Sequence, residues 1–181
     1  MANAKTKYVI LGLLSEGDLT GYEIKKIIDA RFTFFWNESY GQIYPELKKL
    51  AAGGLLCAHD APNEGARKKT AYSITNKGRN ELVAWLAGPT EKETVRFELL
   101  LKMYFSNLVD AKVMQRQVAE FMAAHEQQLA MLELAQKELL GIPDPHENHG
   151  DILRIIDFGQ RVYAAYIAWC GETLEYLKKR K

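Results

Sequence analysis

The sequence predicts a mainly α-helical protein with one small β-hairpin: an N-terminal winged helix-turn-helix domain over residues 1–89, then a helical domain over residues 90–181. Three observations carry this expectation. Two capping-box patterns, Thr20 with Glu23 and Ser39 with Gln42, start helices close together near the N-terminus. Alternation with a period of two occurs once, on either side of the turn-rich stretch "APNEGAR". Beyond "GPT" (Gly88 to Thr90) the chain reads as amphipathic helix with no strand signal.

Taken in order, the first helix is the apolar run Tyr8 to Leu14. The second starts at Thr20, whose hydroxyl can cap backbone donors while Glu23 reaches back, and carries Ile24, Ile27 and Ile28. The third starts at Ser39 and ends at the glycine pair Gly53 and Gly54, with Ile43, Leu47 and Leu50 on one face. Two strands follow, "LLCAHD" and "KKTAYSIT", the second alternating Tyr72 and Ile74 with small polar residues. Thr75 caps a further helix with Leu82, Val83 and Leu86 on one face. In the second domain, "KETVRFELLLKMYFSNL" reads as one helix and Asp110 caps another running to Leu140, with Met114, Val118, Phe121, Leu132, Ala135 and Leu139 on alternating spacings of four and three that His125 and Gln128 interrupt, a seam that suits an antiparallel pairing or a mixed bundle as well as a regular coiled coil. "GIPDPHENHG" stops it, and the last helix spans Asp151 to Leu177. Two long helices with wide apolar faces call for a partner, and a second copy of the chain is the simplest one. The candidate dimer contacts are Ile155, Val162, Tyr166, Trp169, Leu174 and Leu177.

With 48% hydrophobic and 26% charged residues, the composition is that of a folded globular chain rather than a disordered one. The net charge of +1 hides an asymmetry: Lys and Arg outnumber Asp and Glu by 12 to 9 through Thr90 and are outnumbered 12 to 14 beyond it. Between Glu46 and Arg79, Lys48, Lys49, Arg67, Lys68, Lys69, Lys77 and Arg79 face only Glu46, Asp60 and Glu64. Such a patch suits a polyanion, although a charge run is more often a solvated face. The two cysteines lack metal-ligand spacing, the first residues do not combine a basic stretch, an apolar core and a cleavage site, and no apolar run reaches the roughly 20 residues of a membrane span. The expectation is a cytoplasmic protein with reduced thiols. No HExxH, CxxC, nucleophile elbow or glycine-rich phosphate loop is present, so no enzyme and no cofactor is expected, and "HENH" (His146 to His149) reads as a solvated turn.

Pro45 is the anomaly, because it interrupts the apolar pattern of the third helix. With Ile43, Leu47 and Leu50 turned inward, a step of about 100° per residue turns Gly41, Pro45 and Ala52 outward. Tyr44 and Lys48 then flank this slim ridge on one side, and Gln42 and Lys49 on the other. A slim apex with polar and cationic shoulders matches a B-DNA major groove about 12 Å wide. Gln42, Tyr44, Lys48 and Lys49 are therefore the candidate groove residues, and Arg67, Lys68 and Lys69 the candidate wing contacts to phosphates or the minor groove. The competing reading is a winged helix used only for protein–protein contacts, which need not bind duplex at all.

The segments "LTGYEIKK", "SYGQIYPELKKLAAGGL", "KKTAYSITNKGRNELVAWL" and "AWCGETLEYL" resemble the PadR family of bacterial transcriptional regulators, in the PadR/AphA-like branch with a long helical C-terminal domain. The second segment, with its Gly-Gln-Ile-Tyr-Pro order, is the most specific. The resemblance implies a homodimer that binds a palindromic operator on double-stranded DNA, usually as a repressor, and releases it when a small, often aromatic effector binds. It places Tyr40, Gln42, Tyr44 and Lys48 in the groove and Lys68 and Lys69 in the wing.

Overall fold

The computed structural model describes residues 5–32, 34–60 and 69–180, and the chain divides into two compact units, Met1–Glu91 and Lys92–Lys181. The first unit runs α1 (Thr6–Glu16), β1 (Leu19–Thr20), α2 (Gly21–Arg31), α3 (Tyr40–Ala52), β2 (Leu56–Asp60), β3 (Thr70–Ile74) and α4 (Asn76–Leu86). Ile10, Leu11 and Leu14 of α1, Ile24 and Ile28 of α2, and Ile43, Leu47 and Leu50 of α3 meet in one core, closed by Leu56, Tyr72 and Leu82. Each such side chain contributes about 1.5–3 kcal/mol on burial, which orients α3 through its inner face.

Both N-terminal caps of α2 and α4 form as their residues dictate. Glu23 N donates to Thr20 Oγ1 at 3.2 Å while Thr20 N donates back to Glu23 Oε2 at 2.8 Å. Thr75 Oγ1 accepts from Gly78 N at 3.1 Å. At two glycines the close approach of elements leaves no room for a side chain. A Cβ at Gly21 would stand 2.7 Å from Tyr44 Cε1, where α2 crosses α3, and one at Gly78 would stand 2.3 Å from the Leu55 carbonyl oxygen.

The sheet differs from the expected two-stranded hairpin. It has three antiparallel strands in the order β1-β3-β2, with Leu19 opposite Tyr72 and Thr20 opposite Ala71, and with Leu56 through Asp60 opposite Ile74 through Thr70. A two-residue strand is too short to display a period of two, which is why alternation cannot reveal β1. Of the three apolar residues expected on the buried face of α4, Leu82 is buried, whereas Val83 and Leu86 are 63% and 65% exposed.

The second unit contains α5 (Glu98–Tyr104), a 3₁₀ turn (Ser106–Leu108), α6 (Ala111–Leu140) and α7 (His149–Lys179). The helix expected from Lys92 begins only at Glu98. The β-branched Thr94 and Val95 disfavour helix there, and no side chain caps the start. Asp110 caps α6 by accepting from Lys112 N at 2.7 Å, and the 30 residues that follow span about 45 Å. Asp144 caps α7 from outside it, each carboxylate oxygen accepting at 3.0 Å, one from Asn148 N and the other from His149 N. The backbone of the "HENH" stretch is thereby a helix-starting turn.

Helices α6 and α7 lie antiparallel: Gln115 Nε2 donates to the Leu177 carbonyl and Gln160 Nε2 to Gln136 Oε1, both at 3.0 Å. Ile156, Tyr163, Cys170 and Leu177 recur every seventh residue and are all buried, forming the seam of α7. Met114 and Val118 of α6 share the core of Cys170 and Leu177. Burial pushes up the pKa of both Tyr163 and the Cys170 thiol, the second with help from the Glu126 charge. No helix among the described residues is long and apolar enough to cross a membrane.

Candidate nucleic-acid interface

The entry to α3 is fixed by a buried carboxylate that sequence reasoning missed. Glu38 is 2% exposed; its Oε2 accepts from Thr6 Oγ1 of α1 and its Oε1 from Trp36 Nε1, each at 2.9 Å. A glutamate in a connector ordinarily reads as solvated, and only the partners brought by the fold reverse that. One residue later the chain turns into α3, where Gln42 Oε1 accepts from Ser39 N at 2.9 Å and from Ser39 Oγ at 2.7 Å.

From this start α3 presents the ridge its sequence implies. Ile43, Leu47 and Leu50 are buried, whereas Gly41, Pro45 and Ala52 are exposed. Pro45 sits inside the helix, so the Gly41 carbonyl lacks its N–H donor four residues on. Tyr40 and Tyr44 stack with centroids 6.0 Å apart and remain 45% and 43% exposed. Lys48 is exposed and makes no hydrogen bond or ion pair among the described residues. Helix α2 contributes a cation that the sequence did not single out: Lys25 Nζ lies 5.8 Å from the Tyr40 ring centroid while pairing with Asp29 on its own helix.

Not every candidate joins this surface. Lys49 turns to the opposite flank, its Nζ 3.4 Å from both carboxylate oxygens of the largely buried Glu46. Lys77 of the basic stretch donates to the Gly53 carbonyl at 2.9 Å and so ties down the end of α3. Lys69, exposed at the foot of β3, adds its charge to the Thr20 hydrogen bonds that hold the Glu23 carboxyl below its usual pKa. Arg67 and Lys68 lie outside the described residues.

Behind α3, Tyr8 of α1 stacks on Trp85 of α4 at 4.4 Å and 9°. Lys7 bonds Glu81 at 2.6 Å beside them. Burial works against the charged form of Lys7, yet the bond to Glu81 and the neighbouring Tyr8 hold its pKa above the usual lysine value. These contacts clamp α1 to α4.

The fold that carries this capped helix is shared with known transcriptional regulators. The transcriptional regulator PadR-like family matches residues 10–84. The negative transcriptional regulator PadR of Bacillus subtilis is 31% identical over 182 residues, covering 96% of this chain and 97% of that one. The chain belongs to the PadR-like family of transcriptional regulators. It is a PadR-family regulator and not an enzyme. The virulence activator alpha C-terminal family matches residues 95–178, the helical unit. Two solved structures of B. subtilis PadR are similar over nearly the whole length. The complex with operator DNA has a TM-score of 0.82 at 28% identity, covering 94% of this chain and 98% of that one. The complex with p-coumaric acid has a TM-score of 0.75 at 28% identity, covering 97% of each. The Vibrio cholerae virulence activator AphA has a TM-score of 0.75 at 28% identity, covering 97% and 99%.

In the helical unit of this PadR-family chain, the six residues read as dimer contacts separate into two groups. Leu177 is fully buried by its own chain, Leu174 packs on the same core, and Tyr166 sits edge-on to Phe97 at 5.4 Å. They lie on the side of α7 that faces α6, which is why an apolar pattern alone could not assign them to a second copy. Ile155, Val162 and Trp169 share another stripe with Phe158 and Tyr176. Of these, Ile155, Phe158 and Tyr176 are 42%, 64% and 63% exposed, although Trp169 also touches the internal core.

Proposed function

We propose that this PadR-family regulator is a repressor, that it binds a palindromic operator as a homodimer by inserting α3 into the major groove, and that a small aromatic effector releases it. The observation that carries the reading is the outer face of α3. Two stacked tyrosines and the exposed Lys48 stand beside a ridge of Gly41, Pro45 and Ala52, on a helix whose start is pinned by Glu38 and Ser39. Tyr40, Gln42, Tyr44 and Lys48 are the proposed groove residues. Lys49 reaches phosphate only if it leaves Glu46, Lys69 stands at the foot of β3, and Arg67 and Lys68 are proposed as wing contacts on their sequence alone. B. subtilis PadR, named a negative regulator and solved with operator DNA and with p-coumaric acid, supports repression and an aromatic effector for this chain.

The proposed division of labour is DNA binding by residues 1–89 and dimerisation by residues 90–181. A second copy would cover the Ile155, Phe158, Val162, Trp169 and Tyr176 stripe. It would also cover apolar side chains in and around α5, where Val95, Tyr104 and Leu108 are 68%, 81% and 77% exposed. Monomers seldom leave so many large apolar side chains of one unit in water. The test is to sequence the duplex fragments retained by the purified protein and to titrate salt against the enriched site. A palindrome whose affinity falls steeply with salt is expected, since about six phosphate contacts give a log–log slope near −5. Failure to retain any duplex at low salt would overturn the reading.

A further inference from the structure

Hydrogen bonding at the front of α3 restricts which base edge the helix can read; the inference rests on the proposal that α3 enters the groove. The Ser39 backbone N–H can only donate, so the Gln42 atom 2.9 Å from it must be the amide oxygen. Ser39 Oγ, 2.7 Å away, occupies that oxygen's second lone pair. The orientation of the amide is therefore fixed by chemistry, and the oxygen has no lone pair left for DNA. The NH2 group makes no hydrogen bond among the described residues. Its neighbours on the ridge do not compete for a base, because Gly41 has no side chain and Pro45 no N–H.

We infer that Gln42 is a specificity-determining residue that acts as a donor only, and so selects a base edge made of acceptors, guanine O6 and N7 or thymine O4, and disfavours adenine. The familiar glutamine–adenine pair needs the amide oxygen to accept from N6 while the NH2 donates to N7. Gln42 could make that pair only by giving up at least one of its two bonds to Ser39, which would weaken the cap of α3.

The variant that separates capping from reading is Gln42→Glu. Glutamate is itself a capping-box residue, so both Ser39 bonds are retained, but its carboxylate offers the DNA no donor. Wild type and variant are each used to select duplexes from a randomised library, and base preference is compared position by position. In each half-site one position should change from guanine or thymine in the wild type to cytosine, whose N4 donates, while the other positions keep their preferences. Overall affinity falls for the variant because of its added negative charge, so preference rather than affinity is the readout. In a second arm using wild type alone, 7-deazaguanine at a guanine-selecting position should weaken binding about tenfold, as expected for loss of a direct base contact. Adenine enriched by the wild type at the position the variant alters, or preferences identical in the two proteins, would overturn the inference while leaving groove binding intact. A wild type that enriches no sequence would remove groove binding and the inference together.

Discussion

Gly78→Ala tests whether the close approach of α4 to the chain entering β2 holds the first unit together. The added methyl would meet Ile74 Cγ1 at 2.9 Å and Leu11 Cδ2 at 3.2 Å, side-chain ends that can turn aside, but also the Leu55 carbonyl oxygen at 2.3 Å. A carbon and a carbonyl oxygen sit comfortably at about 3.3 Å, so the backbone must yield by about 1 Å. That carbonyl accepts from both Thr75 N and Thr75 Oγ1 at 3.1 Å, so the displacement breaks or strains two hydrogen bonds of about 1 kcal/mol each. Overpacking adds about 1–3 kcal/mol. The better helix propensity of alanine returns about 1 kcal/mol, leaving a net loss of about 2–4 kcal/mol. For a unit of this size the melting temperature should fall by about 10 °C or more, read by circular dichroism alongside a urea titration. A Gly78→Ala protein as stable as its parent would refute the contact and the reasoning built on it.

Glu38→Gln leaves one good acceptor where Thr6 and Trp36 both donate, and should lower stability by about 1–2 kcal/mol in urea and weaken retention of duplex by loosening the approach to α3. Glu23 has a folded pKa below its unfolded value of about 4.3, so its contribution is complete above that pH and is lost as the pH falls through the folded pKa. Glu23→Gln should therefore show a shallower loss of stability below about pH 4.3 than the parent, by urea midpoints across an acid series. Phe158→Glu places a charge on the exposed α7 stripe and should shift the protein to monomer by sedimentation velocity, with helical content unchanged.

The parts of this chain legible in its sequence are those decided within a few residues. Thr20 with Glu23, Thr75 with Gly78 and Asp110 with Lys112 are local hydrogen bonds, and the helices they start follow from them. The ridge of α3 was equally legible, because Ile43, Leu47 and Leu50 specify the inner face and angular spacing does the rest. What escaped depends on contacts distant in sequence. Glu38 is buried by a partner 32 residues away, and β1 exists only because β3 offers it an edge. Leu174 and Leu177 belong to an apolar pattern wide enough to serve two partners, and only the packing of α6 shows which of them is already taken.

Thr20 belongs to two elements at once: it pairs with Ala71 in the sheet and caps α2 through Glu23. Anyone transplanting this wing onto another scaffold, to give it a different reach, would have to carry over the turn before α2 along with the strands. A graft cut only at the ends of β2 and β3 would strip the middle strand of one neighbour and leave the donor's angle between wing and helix behind.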